Sequence, residues 1–160
     1  MRPRFLLALV LVLVAVLLVR AEVAAPTRIA GDSMSPTLER GDVALVRKVG
    51  VTPHRGDLLV FTSPDEGLDT IKRVVGVPGD EVAIRDAVLY VNDELVDEPF
   101  VDHEAIDGLY YGPVTVPAGR LILLGDNRAN SIDSRSYGPV AVDAVSGRVQ
   151  VTLWPPGDPD

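Results

Sequence analysis

The pattern of apolar and polar residues divides the chain at about residue 25. Fifteen consecutive apolar residues occupy positions 5–19. A helix over this run would be about 22 Å long, shorter than a ~30 Å hydrocarbon core. Residues 21–25 lengthen it if Arg20 extends its side chain to the lipid headgroups. Residues 1–25 are therefore predicted to be either a cleaved signal peptide or a retained membrane anchor.

Basic residues flank this segment unequally. Arg2, Arg4 and the terminal amine precede it, and only Arg20 follows it. Flanking positive charge stays on the cytoplasmic side of a membrane. Under either interpretation we expect the N-terminus in the cytoplasm and the rest of the chain on the extracytoplasmic side.

Beyond residue 26 the pattern changes to short runs of Val, Ile and Leu bounded by Gly, Pro, Asp and Asn, which is typical of β-strands. The one predicted helix is short, at Ser35–Arg40. Short strands without helices between them predict a mainly β domain over residues 26–154, an antiparallel β-sandwich or partly open barrel. The predicted strands are Val43–Val49, Asp57–Phe61, Thr70–Val77, Glu81–Arg85, Ala87–Val91, Arg120–Leu124 and Val145–Leu153.

Two stretches depart from the strand pattern. Residues 93–117 are acidic and have few apolar residues, so we predict a small excursion from the main sheet. Residues 155–160 contain only proline, glycine and aspartate and are predicted to be a loose tail.

Composition excludes several kinds of site. The absence of cysteine excludes disulfides, a thiol nucleophile and Cys-ligated metals. The net charge is −8, and three of the arginines lie in residues 1–25, so the β domain is more acidic still. An acidic domain is a poor candidate for nucleic-acid binding. Histidine, aspartate and glutamate show no metal-ligand spacing, and we expect neither a metal nor a cofactor.

Ser33 and Lys72 carry the candidate chemistry. The chain has 13 arginines but only two lysines, and arginine cannot give up its proton at any useful pH. Lysine acts as a base only when neutral, and burial favours the neutral form. In a strand, Lys72 would share a face with Thr70 and Val74 and become buried, while Arg73 points to the other face and stays in solvent. The residues therefore favour a Ser–Lys dyad.

A Ser-His-Asp triad is the competing arrangement. The two histidines, His54 and His103, lie in a turn and in the acidic excursion, and we interpret both as solvated loop residues. The chain also has no Gly-x-Ser-x-Gly nucleophile elbow.

Three segments together resemble type I signal peptidases, a family of Ser–Lys serine proteases. Residues 31–38 (GDSMSPTL) resemble the nucleophile segment, residues 71–80 (IKRVVGVPGD) the general-base segment, and residues 125–135 (GDNRANSIDSR) a third signature. They occur in the family's order behind an apolar segment, and the resemblance covers residues 5–154. It implies a serine endopeptidase with the signal-peptidase β fold and one N-terminal transmembrane helix.

The resemblance implies a role for each matching residue. Ser33 attacks the scissile carbonyl, and Lys72 takes its proton and later activates water. Ser131 hydrogen-bonds to Lys72 and orients its amine. Two structural ion pairs support the site, Asp133 with Arg135 and Asp126 with Arg128.

The resemblance also implies how the substrate is held. The backbone N–H of Ser33 stabilises the oxyanion. Some family members add a serine hydroxyl two residues before the nucleophile, where this chain has Gly31, so a second donor must come from elsewhere. The pocket for the residue before the cut is implied to be small, because it is lined by Ile29, Met34, Leu38 and Ile71.

The implied function is removal of signal peptides from exported preproteins, with cleavage after a small residue in an Ala-x-Ala-like site. The implied partners are preprotein signal peptides and the lipid bilayer. A tethered enzyme has a high effective concentration towards a membrane-bound substrate. The resemblance therefore favours a retained anchor in the cell membrane over a cleaved signal peptide.

Three alternatives stay open. Self-cleaving repressors of the LexA type share the chemistry, but their DNA-binding domain and lack of a membrane segment do not fit this sequence. A dedicated processing peptidase for one specialised exported substrate is the second. The third is a catalytically inactive, membrane-tethered β domain that binds exported peptides, and the joint presence of Ser33, Lys72 and Ser131 argues against it.

Overall fold

A computed structural model of the chain describes residues 24–103, 106 and 108–154. Within them, helical structure is limited to one α-helical turn, α1 (Ser134–Tyr137), and 3₁₀ turns at Arg128–Asn130 and Val142–Ala144. The domain is therefore mainly β, as predicted. Its strands are β1 (Ala24–Arg28), β2 (Val43–Arg47), β3 (Leu58–Thr62), β4 (Asp69–Gly76), β5 (Glu81–Arg85), β6 (Val88–Val91), β7 (Glu94–Leu95), β8 (Tyr111–Thr115), β9 (Arg120–Leu124), β10 (Val140–Ala141) and β11 (Val145–Trp154).

The strands form two antiparallel sheets. The larger sheet has the order β1-β2-β11-β3-β4-β9-β10 and curls into a half-barrel. The smaller sheet has the order β7-β6-β5-β8. All seven predicted strands are present, and the four that the pattern missed are β1, β7, β8 and β10. All four lie at the edge of a sheet, and β7 and β10 have only two residues each.

Three sequence predictions change with the fold. The excursion at 93–117 contributes β7 and β8, but β5 and β6 belong to the same small sheet, so this layer is larger than expected. Strand β1 begins at Ala24, inside the segment predicted as an anchor. Most of that segment, the predicted transmembrane helix and the tail at 155–160 lie outside the described residues. No helix within the described residues is long and apolar enough to cross a membrane.

The predicted helix at Ser35–Arg40 is instead a series of turns. One helix-like hydrogen bond forms, from Leu38 N to Met34 O at 3.0 Å. The Asp42 carboxylate accepts the Glu39 N–H at 2.9 Å, so this hydrogen does not continue the helical ladder. The segment is therefore held as a compact loop that carries Ser33 at its start.

Strand β9 explains how the two layers share one interior. Leu121 and Leu123 pack into a cluster with Phe61, while Ile122 and Leu124 pack into the cluster of the small sheet. All four leucine and isoleucine side chains are buried. A strand covered on both faces has a continuous apolar run rather than an alternating one, as the sequence RLILL shows. Strand β4, which carries Lys72, pairs with this buried strand.

Candidate active site

Ser33 and Lys72 meet across 39 residues of sequence. Lys72 Nζ lies 2.6 Å from Ser33 Oγ and 3.4 Å from Thr70 Oγ1. Lys72 stands in β4, where β3 pairs with it on one side and β9 follows on the other, so its position is fixed by two neighbouring strands. A nucleophile and a base within hydrogen-bond distance form the minimal arrangement for covalent catalysis.

The surroundings of Lys72 favour its neutral form. Only 3% of the residue is exposed, and burial lowers the pKa of its amine below the ordinary value. The Asp133 and Glu66 carboxylates oppose this shift, and the Arg135 guanidinium adds to it. Desolvation is the largest of these effects, so the amine is better able to accept a proton than a lysine in water.

Arg73 lies on the opposite face of β4, as strand alternation predicts, but it is not in solvent. Its side chain is 15% exposed and donates to both Asp126 carboxylate oxygens, at 2.8 and 2.6 Å. The guanidinium also stacks on the Phe100 ring, 4.0 Å from its centroid, and Thr37 Oγ1 donates to the same carboxylate at 2.5 Å. Arg73 therefore ties the base strand to the loop that starts at Gly125.

Ser131 does not contact Lys72 as the resemblance implied. Its hydroxyl donates to Asp133 Oδ2 at 2.8 Å, and among the described residues the Lys72 amine hydrogen-bonds only to Ser33 and Thr70. Asp133 is fully buried and already a strong acceptor, because Arg135 donates to it with two nitrogens at 2.8 Å. The orienting contact to Lys72 in this structure is therefore that of Thr70.

The predicted pair of Asp133 and Arg135 is present and bidentate. Burial alone would raise the pKa of Asp133, but the hydrogen bonds and charge of Arg135, with the Gly125 N–H and the Ser131 hydroxyl, hold it below the usual range. Arg135 also donates to the backbone oxygens of Arg128 and Ser131, at 2.8 and 3.2 Å. The pair therefore stabilises the conformation of the loop that contains Arg128 and Ser131.

The predicted pair of Asp126 and Arg128 is wrong. Asp126 pairs with Arg73, and Arg128 pairs with Glu98 at 2.6 Å, with both side chains almost completely buried. Residues 126 and 128 are separated by one position at the entry to a 3₁₀ turn, and their side chains diverge towards the main sheet and the small sheet. Arg128 still supports the loop by donating to Gly125 O at 3.0 Å. Glu98 lies in the acidic excursion, where nothing in the sequence pattern identified it as a partner.

The nucleophile loop is bound directly to the loop of the third signature. Asn127 donates from its backbone N to Ser33 O at 3.1 Å and from its side chain to Asp32 O at 3.2 Å. A side chain on Gly125 would place its Cβ 2.5 Å from Ser33 O and overlap Ser131. Glycine is therefore required there for close approach, and the contact fixes Ser33 relative to Ser131.

The backbone N–H of Ser33 is available to a ligand. In the part of the chain that the structure describes, no acceptor takes this hydrogen, which fits the implied role as an oxyanion donor. A Cβ built on Gly31 meets nothing within 4 Å. The space for a second donor at that position is therefore open.

A cleft of ≈ 550 Å³ leads from Ser33 along the curled sheet. Three of the four implied pocket residues line it, namely Ile29, Met34 and Ile71. Leu38 does not, since it is 1% exposed and packs beneath Met34 in the same apolar cluster. The edge strand β1 forms one wall, and residues 69–71 of β4 form another.

A second cavity of ≈ 230 Å³ also borders Ser33. Unlike the cleft, it is lined mainly by polar side chains. Its described lining consists of Ser33, Ser63, Glu66, Thr70, Lys72, Asn130 and Ile132. The two histidines line neither cavity, and both are exposed as predicted.

Sequence and structure comparisons relate the chain to one family of proteins. The chain matches the family model described as "Signal peptidase, peptidase S26" over residues 2–154. It is 39% identical over 140 residues to signal peptidase I of Bacillus caldolyticus, covering 78% of this chain and 76% of that protein. It is 35% identical over 161 residues to signal peptidase I of Bacillus licheniformis, covering 92% and 86%. The crystal structure of a signal peptidase I from Enterococcus faecalis V583 matches with a TM-score of 0.56 at 32% identity, covering 62% of this chain and 98% of that one.

Proposed function

The chain belongs to the signal peptidase family, peptidase family S26, and from that premise we propose Ser33 as its nucleophile and Lys72 as its general base. It is a serine endopeptidase that removes signal peptides from preproteins. The observation that carries the proposed roles is the 2.6 Å contact between Lys72 Nζ and Ser33 Oγ at a buried amine.

During acylation the same proton is transferred twice, first from Ser33 to Lys72 and then from Lys72 to the leaving amine. Neutral Lys72 takes the Ser33 hydroxyl proton while Oγ bonds to the scissile carbonyl carbon, and the carbonyl oxygen becomes an anion facing the Ser33 N–H. The C–N bond then breaks, and the Lys72 ammonium gives the proton to the leaving amine. The signal peptide is left as an ester on Ser33.

Deacylation repeats these steps with water. Neutral Lys72 removes a proton from water as its oxygen attacks the ester carbon. The C–O bond to Ser33 then breaks, and Lys72 returns the proton to Oγ. Thr70 and the strand pairing hold the amine in place, and the Asp133–Arg135 pair holds the loop that contacts Ser33.

The cleft supports an extended substrate with small residues at the first and third positions before the cut. The bulk of Ile29, Met34 and Ile71 limits the side chain next to Ser33 to about the size of alanine. Strand β1 lies at the edge of its sheet, and an edge strand can hydrogen-bond to an added peptide strand. Leu38 acts only by supporting Met34.

Cleavage of an Ala-x-Ala precursor peptide by the purified full chain tests the assignment. Wild type should cleave after the second alanine. Ser33→Ala should retain its fold and lose cleavage, because Thr70 has the only other hydroxyl within hydrogen-bond distance of Lys72 among the described residues. Normal turnover by Ser33→Ala would refute the assignment. A folded wild type that cleaves no generic precursor would favour the dedicated peptidase or the inactive peptide-binding domain.

We propose that the part of the predicted anchor that precedes β1, residues 1–23, is retained as a single membrane anchor, with the catalytic domain on the extracytoplasmic side. The apolar run and the flanking arginines support this proposal, and the anchor then joins β1 directly. Deletion of residues 1–23 should reduce cleavage of membrane-bound preproteins far more than cleavage of short peptides. Equal losses on both substrates would contradict a tethering role.

A further inference from the structure

Ser33 lines two cavities of different chemistry. The lining of the larger cleft includes the apolar residues Ile29, Met34 and Ile71. The smaller cavity is lined by Lys72 and mainly polar side chains. Among the described residues, Lys72 lines only this second cavity. The two halves of a substrate would therefore meet different surroundings.

The direction of the proton transfer decides which half enters the second cavity. When the C–N bond breaks, the leaving nitrogen receives its proton from the Lys72 ammonium, so this nitrogen must lie within hydrogen-bond distance of Nζ. The acyl half occupies the apolar cleft. The new N-terminus and the residues that follow it must therefore leave through the cavity that Lys72 lines. This step rests on the proposed function.

Glu66 and Lys72 are the only charged side chains that line this cavity in the described part of the chain. Glu66 is exposed and forms no ion pair there, whereas the nearby Asp133 carboxylate is neutralised by Arg135. An unpaired carboxylate at the exit attracts cations and repels anions.

We propose that this cavity receives the first residues after the cut and that Glu66 makes cleavage sensitive to their charge. Basic residues there are stabilised by Glu66. Acidic residues are disfavoured. Glu66 is thus a specificity-determining residue on the side of the mature chain, whereas the apolar cleft selects the signal-peptide side.

Glu66 also affects the pKa of Lys72, and the experiment must distinguish this effect from recognition of substrate charge. Its charge raises the pKa of Lys72, as does that of Asp133, whereas Arg135 lowers it. Glu66→Gln should therefore increase the neutral fraction of the amine for every substrate equally. The ratio of kcat/KM between two substrates cancels this common effect, and only charge recognition changes the ratio.

The experiment uses three Ala-x-Ala peptides that differ at the two residues after the cut, which are Lys-Lys, Gln-Gln or Glu-Glu. With wild type at low salt, kcat/KM should fall in that order, about three- to tenfold from first to last. One exposed charge interaction changes the rate by about 1.4- to fivefold, and this series replaces attraction by repulsion at two positions. Glu66→Gln should bring the ratio to within about twofold of one, and Glu66→Lys should reverse it. Glu94→Gln, at an exposed glutamate of the small sheet, should keep the wild-type ratio.

The possible results distinguish a failure of the role of Glu66 from a failure of the proposed function. If wild type cleaves the Gln-Gln peptide but shows no charge preference, or if Glu66→Gln keeps the preference, the role of Glu66 is refuted and the proposed function stands. If none of the three peptides is cleaved by the folded protein, the proposed function fails and the inference fails with it. The preference should also shrink in 0.5 M salt, since exposed charges are screened over about 4–5 Å there.

Discussion

Replacement of Lys72 by arginine separates the charge of this residue from its ability to lose a proton. Both side chains are cationic in water, so a site that needs only positive charge would tolerate the change. Lys72 is 3% exposed and lies 2.6 Å from Ser33 Oγ. A residue that serves as the base must spend part of its time neutral, which arginine does not do.

The size of the effect follows from the two pKa values. An unperturbed lysine of pKa ~10.4 is neutral in about one molecule in 10³ at pH 7.4, and burial increases this fraction tenfold for each unit by which it lowers the pKa. Arginine has a pKa at least about two units higher than that of lysine and is neutral in fewer than about one molecule in 10⁵. We therefore expect Lys72→Arg to reduce kcat by at least about 10²-fold, as much as Lys72→Ala.

The assay is a pH–rate profile with an Ala-x-Ala peptide, run for wild type, Lys72→Arg and Lys72→Ala. Because burial lowers the pKa of Lys72, the wild-type rate should rise with pH along a limb centred below the ordinary lysine value. Arg85→Lys is the control, since Arg85 is exposed in the small sheet and should tolerate a conservative change. A Lys72→Arg enzyme with a tenth of the wild-type rate would refute a general-base lysine.

Three further substitutions test the packing around this dyad. Lys72→Met should raise the unfolding temperature at neutral pH. Folding lowers the pKa of Lys72, so the unfolded chain binds the proton more tightly, and this residue destabilises the fold until the pH exceeds its ordinary pKa. An unchanged unfolding temperature would contradict the lowered pKa of Lys72. Gly125→Ala should lower the free energy of unfolding by about 1–3 kcal/mol and reduce kcat about 10²-fold, because the added Cβ would displace Ser33 and Ser131. A variant with the wild-type kcat would show that the two loops can move apart without affecting catalysis. A side chain at position 31 would enter open space. Gly31→Ser should therefore raise kcat up to about tenfold, because the serine hydroxyl can act as a second oxyanion donor. A lower kcat would indicate that another group already occupies that position.

The positions of Ser33 and Lys72 were readable from the sequence because each lies in a short segment whose local structure is set by its own residues. Strand alternation placed Lys72 on one face of β4 and Arg73 on the other, and the structure has this arrangement. The alternation gave only the direction of Arg73. Its partner, Asp126, lies 53 residues further along the chain. A contact over such a sequence separation cannot be predicted from a local pattern.

The ion pairs of the third signature show the same limit. Asp133 and Arg135 are two residues apart at the start of α1, where a short turn brings their side chains together, and that pair was predicted. Asp126 and Arg128 are equally close in sequence but diverge at the 3₁₀ turn, and Arg128 finds Glu98 instead. Which partner a buried charge finds depends on how the small sheet packs on the large one, and sequence spacing carries no information about that packing.

The buried charges around the dyad position the site rather than stabilise the fold. Replacing a buried ion pair by apolar residues is often neutral or stabilising, whereas removing one partner is costly. Here Arg73 is adjacent to Lys72 in the same strand, and its pair with Asp126 fixes β4 against the loop whose Gly125 contacts Ser33. One face of β4 therefore holds the base, and the other face holds the loop that fixes the nucleophile. A pair of apolar residues at 73 and 126 would allow the layers to pack. It would not fix their relative position as the bidentate contact between Arg73 and Asp126 does. The 2.6 Å contact between Lys72 Nζ and Ser33 Oγ depends on that fixed position.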